Sequence, residues 1–136
     1  MEIKRTLTAT EMNALYNTMI VCLYDEEDEY LYQFRDYLWR RAVIESYTDM
    51  SLPSDTNEAY EICRNNELWN KIQSSIDVDQ LEEIDTAVSN YVSDKEHRKQ
   101  ASWHFNELMK DMQEILTVFG QLSLDDSESE SLAKKG

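Results

Sequence analysis

Two glycines, one proline, two cysteines and thirteen basic side chains in 136 residues close off several readings at once. Scarcity of Gly and Pro removes the commonest turn and breaker residues, which points to long helices. The cysteines, Cys22 and Cys63, form no CxxC pair and are too few for a disulfide framework. Each stands in helix-like surroundings, where a free thiol is expected to be buried. The longest unbroken apolar run, Met19 to Tyr24, falls far short of the roughly 20 residues of a membrane span. The basic N-terminus, Met1 to Thr6, is not followed by a signal-type apolar core. A soluble, cytoplasmic protein is expected. With no basic stripe to face phosphate, direct nucleic-acid binding is not expected either.

What is present is acid. Twenty-eight carboxylates give a formal net charge of -15. Self-repulsion of that size opposes a compact state, so it asks for a reason: solubility, or a strongly positive partner. The charge is uneven. Residues 1–50 carry 5 basic and 10 acidic groups, residues 51–92 carry 2 and 9, residues 93–124 carry 4 and 5, and residues 125–136 carry 2 and 4. Apolar residues still make up 41%, with eight Tyr, three Trp and six Met, so the chain is not a wholly disordered acidic one. The length suits one domain, which at this size buries roughly two thirds of the surface its unfolded chain exposes.

Apolar spacing sets out the elements. Residues 1–9 read as an extended segment. Thr10 is placed to cap a first helix, with Met12, Leu15, Tyr16, Met19, Cys22 and Leu23 at three- and four-residue steps. The stripe lapses over Asp25-Glu26-Glu27-Asp28-Glu29 and resumes at Tyr30, Phe34, Tyr37, Leu38 and Ile44. A break near Asp25 would put these acids in the first turn of a second helix, beside its positive dipole end. Pro53 is expected to end that helix. Asp55 with Glu58 has capping-box spacing, and a short helix then runs to Asn65-Asn66. Leu68, Trp69, Ile72 and Ile76 form another. Asp77 and Asp79 open a helix with Leu81, Ile84, Val88, Tyr91 and Val92. Ser93 with Glu96 marks a last helix, ended by Gly120 and striped by Ala101, Phe105, Leu108, Met112, Ile115 and Phe119. The fold expected is all-α, a single compact bundle of five or six helices over residues 10–122. Residues 123–136 are expected as a disordered acidic tail.

Two acidic zones are the candidate binding residues. Tyr24, Asp25, Glu26, Glu27, Asp28, Glu29, Tyr30 and Tyr32 mix carboxylates with tyrosines. On a helix, acids three and four apart stand about 5–6 Å from one another, comparable with backbone phosphate intervals, and tyrosine adds rigid contact area with a polar tip. The segment reads either as a surface for a basic groove or as a solvated helix start beside core tyrosines. Asp77, Asp79, Glu82, Glu83 and Asp85 form the second zone. They lack the central glycine of an EF-hand loop and keep helical phase. His97 and His104 are seven apart, without the spacing or companions of a zinc or di-iron set. No metal or other cofactor is expected. Trp39, Trp69 and Trp103 read as core, or as interface anchors where exposed. There is no GxSxG, no phosphate-cradling glycine loop and no nucleophile beside a base. Enzyme activity is not expected.

In size, charge and its two clusters, Asp25–Glu29 and Asp77–Asp85, the chain resembles a class: the small acidic anti-defence proteins of phages and mobile elements. These include DNA-mimicking anti-restriction proteins and several anti-CRISPRs. The resemblance implies an inhibitor that occupies a basic nucleic-acid-binding surface of a nuclease or regulator, such as a CRISPR effector. Its partner would be a basic, nucleic-acid-handling protein. The alternative is a helical adaptor or assembly chaperone whose contacts are mainly apolar and aromatic. Salt separates the two, since electrostatic capture weakens as salt rises and apolar contact hardly changes.

Overall fold

A computed structural model describes residues 1–121 with their side chains and continues as helix backbone to Lys135. The protein is all-α. Five α-helices run through the described residues: α1 (Ala9–Cys22), α2 (Arg35–Tyr47), α3 (Thr56–Arg64), α4 (Asn66–Ser75) and α5 (Val78–Lys135), with a 3-10 turn at Tyr32–Phe34. The acidic tail expected over 123–136 lies outside the described side chains. The chain divides into two compact units, a head of residues Met1–Ser93 and a distal unit from Asp94 onward.

Side chains at the helix starts explain where each begins. Thr8, not Thr10, caps α1: its Oγ1 accepts from Glu11 N at 3.2 Å while Glu11 Oε1 accepts from Thr8 N at 3.0 Å. This reciprocal pair is the Thr-x-x-Glu box, which starts the helix two residues early. Asp55 Oδ1 accepts from Asn57 N and Glu58 N, opening α3 as expected. Asn65 ends α3 and also starts α4, with its Oδ1 accepting from Leu68 N at 3.2 Å. Asp77 Oδ1 accepts from Asp79 N at 2.9 Å at the start of α5.

Three expected boundaries are corrected. The second helix stops at Tyr47, well before Pro53, because Thr48 turns extended and bridges to Ile3. Lys4 N donates to Tyr47 O at 2.6 Å in the same pairing. Ser93 and Glu96 start nothing, since α5 already runs from Val78 and a serine in a helix interior need not cap. Gly120 does not end that helix: no glycine has a positive φ among the described residues, so the left-handed cap is missing.

Among the described residues the core lies wholly in the head. Leu15, Met19 and Leu23 of α1 and its C-cap meet Val43, Ile44 and Tyr47 of α2, Ile72 of α4, and Ile84 and Val88 of α5, all almost fully buried. The extended N-terminus is sewn onto this core. Leu7 is buried, and Gln80 of α5 holds it from both sides: Leu7 N donates to Gln80 Oε1 at 2.7 Å and Gln80 Nε2 donates to Leu7 O at 3.1 Å. Tyr47 OH donates to the same Gln80 oxygen at 2.6 Å. One amide therefore joins the N-terminus, α2 and α5.

Candidate protein-binding surfaces

The first acidic zone is a loop, not a helical turn. α1 ends at Cys22 and α2 begins at Arg35, so the five acids lie between them. The expected break near Asp25 is present, but regular helical spacing of the carboxylates is not. Asp25 folds its own loop: its Oδ1 accepts from Glu27 N and Glu29 N, both at 2.9 Å. Asp28 takes a φ of 62°, a left-handed conformation that Asp and Asn tolerate best after Gly. The bridge Tyr24↔Tyr30 closes the loop. Glu26, Glu27 and Glu29 project into solvent.

The tyrosines split between packing and exposure. Tyr24 and Tyr30 are half-buried and meet at 5.7 Å between ring centroids. Tyr24 also stands edge-on to Tyr91 of α5 at 6.5 Å, and Tyr16 meets the same ring at 6.3 Å. They anchor the loop to the head. Tyr32 remains 67% exposed.

The second zone opens α5, and two of its five acids are structurally engaged. Asp77 caps the helix, and Asp85 accepts from Arg35 of α2 at 3.0 Å. Asp79, Glu82 and Glu83 are exposed. Tyr91, where the acidic loop docks, is six residues beyond Asp85, or about 9 Å of helix. The two zones thus follow one another along α5.

The distal unit exposes the stripe from Ala101 to Phe119, which a single compact bundle over residues 10–122 would bury. Every residue from Ala101 to Gln121 is exposed. Phe105, Leu108, Ile115, Leu116 and Phe119 are 54–66% exposed, and Met109 and Met112 exceed 40%. At 3.6 residues per turn these side chains cover an arc of roughly 120°, with Glu107, Lys110 and Glu114 opposite. Of the three tryptophans Trp103 is 61% exposed, on the polar side of the helix, whereas Trp69 is buried. Contiguous exposed apolar faces of this kind are found at protein, membrane and ligand sites and at aggregation-prone surfaces.

A signal for it was present. Between Val92 and Ala101 the helix runs through Ser93-Asp94-Lys95-Glu96-His97-Arg98-Lys99-Gln100. These eight polar residues interrupt the core stripe. Beyond them Ala101, Phe105, Leu108, Met112, Ile115 and Phe119 recur in steps of four and three, a spacing that the buried Leu81, Ile84 and Val88 share.

Other features do less. A cleft of about 340 Å³ between α2 and α3 is lined by Asp36, Tyr37, Arg40, Tyr60 and Arg64 among others. Its Arg40 is already engaged, donating to Cys63 O at 3.2 Å and Asn66 Oδ1 at 3.0 Å and lying 5.3 Å over the Trp69 ring. Cys63 is buried, and desolvation pushes its thiol pKa up, away from reactivity. Cys22, expected to be buried, is exposed, because the apolar face of α1 passes through Met19 and Leu23 instead. Among the described residues no cluster of His, Cys, Asp or Glu could hold a metal ion. No helix there is long and apolar enough to cross a membrane.

Comparison with known protein families, characterised proteins and solved structures finds no match to this chain.

Proposed function

We propose that this protein is a non-catalytic binding module, a helical adaptor or assembly chaperone, that engages a protein partner through the apolar stripe of α5 between Ala101 and Phe119. The carrying observation is that stripe: large apolar side chains in helical phase, all exposed, on a chain whose core is complete without them. Leaving them in water forfeits transfer free energy of roughly 25 cal/mol per Å². A helix laid against this face would recover it.

The test compares the full-length protein with a Leu108→Glu, Ile115→Glu variant as bait in extract from its source. The stripe reading expects a bound protein set that persists as salt rises and is lost in the variant. An unchanged set in the variant would overturn it.

A second reading, capture of a basic nucleic-acid-binding surface as an anti-defence inhibitor would do it, draws support from where the charge lies. Residues 1–92 carry 7 basic and 19 acidic groups, net -12, and Glu26, Glu27 and Glu29 stand free of the fold on the loop. Replacing Asp25 and Asp28 with Asn and the three glutamates with Gln preserves the acceptor at 25 and the backbone tolerated at 28. Under this reading the substitution slows association with a basic partner and flattens its salt dependence. Binding that ignores both the substitution and salt leaves the apolar stripe as the sole surface.

A further inference from the structure

We infer that the partner of the α5 stripe is the same stripe on a second copy of this chain, with the two helices antiparallel. The inference rests on the stripe being a protein-binding surface, and it names the occupant.

Ala101, Phe105, Leu108, Met112, Ile115 and Phe119 follow steps of 4, 3, 4, 3 and 4 residues. That is the a/d pattern of knobs-into-holes packing, to which a helix with the same repeat is complementary. A second copy supplies it. Side-chain size then chooses the orientation. In parallel register each layer pairs a residue with itself, so Ala101 meets Ala101 and Phe119 meets Phe119. The first layer is under-filled and the last crowded, and both faults cost stability. In antiparallel register, centred near Lys110, each a position faces a d position. Ala101 then lies opposite Phe119, Phe105 opposite Ile115 and Leu108 opposite Met112. Each aromatic faces a smaller residue, and the layers fill evenly.

Charge agrees. Residues 94–121 carry 4 basic and 5 acidic groups, so two such helices repel one another little. Residues 1–92, with net charge -12, precede the stripe in the chain. Parallel pairing would start both helices from such a segment at the same end of the seam, whereas antiparallel pairing starts them from opposite ends, where their mutual repulsion is better screened. Area agrees as well. Seven large apolar side chains each offer on the order of 100 Å², close to the roughly 800 Å² per partner of a stable interface. Met109 and Leu116 flank the seam on one side and widen it.

The experiment uses the full chain. Sedimentation equilibrium over a concentration series is expected to show a monomer–dimer exchange. Leu108→Glu with Ile115→Glu should weaken it by more than about a hundredfold, as for burial of unpaired charge in an apolar seam. The thermal transition of the head serves as the folding control and should not move. Orientation is read from spin labels at Gln121→Cys in a Cys22→Ser background. The antiparallel register puts them about 35 Å apart at 1.5 Å rise per residue, the parallel one within about 20 Å.

A monomer at the highest attainable concentration overturns the proposal, as does a dimer indifferent to the two glutamates. Short label distances overturn the orientation. A monomer whose stripe still captures another protein, with capture lost in the glutamate variant, would refute self-pairing and leave the adaptor reading standing.

Discussion

Gln80 is the residue on which the head's polar accounting turns. Its side chain accepts from Leu7 N and Tyr47 OH and donates to Leu7 O. Gln80→Leu would strand all three groups, and an unsatisfied buried polar group costs about 1–3 kcal/mol. Urea unfolding of that variant should show a loss within or somewhat above this range. Tyr47 adds a dependence on pH. Desolvation, and after it the nearby Asp77 carboxylate, pushes its hydroxyl from 10.0 up to about 12. The folded state therefore holds this proton more tightly than the unfolded chain does. The associated stability is complete below pH 10 and drains away as pH rises toward 12. Tyr47→Phe should be less stable at neutral pH for want of the bond to Gln80, yet lose less between pH 10 and 12. At the acid end, the bond from Lys4 and then the Thr8 backbone hold Glu11 at about 2 instead of 4.5. A depressed carboxylate contributes above its unfolded pKa and ceases to as pH falls through the folded one. The stability gap between wild type and Glu11→Gln should narrow from pH 4.5 down to 2. A gap independent of pH would show that the capping box acts by geometry alone.

At the scale of elements, helices were legible wherever apolar period and cap coincided. Asp55 and Asp77 mark starts that the structure keeps, because a short acceptor side chain meets orphan N–H groups there. Asn65, expected only as the end of one helix, also starts the next. Two of the misplacements share one cause. Ser93 and Gly120 are residues able to begin or end a helix, but the backbone obeys them only when packing lets it leave. Pro53 comes after α2 has already left at Thr48. Beyond Val92 nothing turns the chain, so α5 continues past Ser93 and through Gly120. Glycine in a helix interior costs about 1 kcal/mol relative to alanine. A Cβ at Gly120 would meet nothing within 4 Å. Gly120→Ala should therefore firm the distal helix, seen as slower amide exchange around residues 116–121 and slightly greater helical circular dichroism. If alanine instead reduced helicity, the glycine would have to serve as a bend.

At the scale of the molecule, the sequence showed how much charge there is and where it lies. It did not show which apolar stripes would be spent on one core. Leu81 to Val92 and Ala101 to Phe119 look alike as strings, and only packing separates them: the first is buried against α1 and α2, the second is in water. That division makes a strong prediction. Among the described residues every buried side chain lies from Leu7 to Val92, so a chain ending at Ser93 retains all of that core. It should unfold cooperatively at a midpoint within a few degrees of the full-length protein. The short α5 that remains is held by Leu81, Ile84, Val88 and Val92 rather than by its length, which alone would be marginal. With residues 1–92 at net -12, the fragment should also gain stability as salt screens its self-repulsion. It should sediment as a monomer at all concentrations and lose every salt-resistant contact of the intact chain, while any salt-sensitive capture of basic surfaces persists. A fragment that fails to melt cooperatively would mean that the distal helix belongs to the fold of the head. A fragment that still dimerises would move the interface off the stripe altogether.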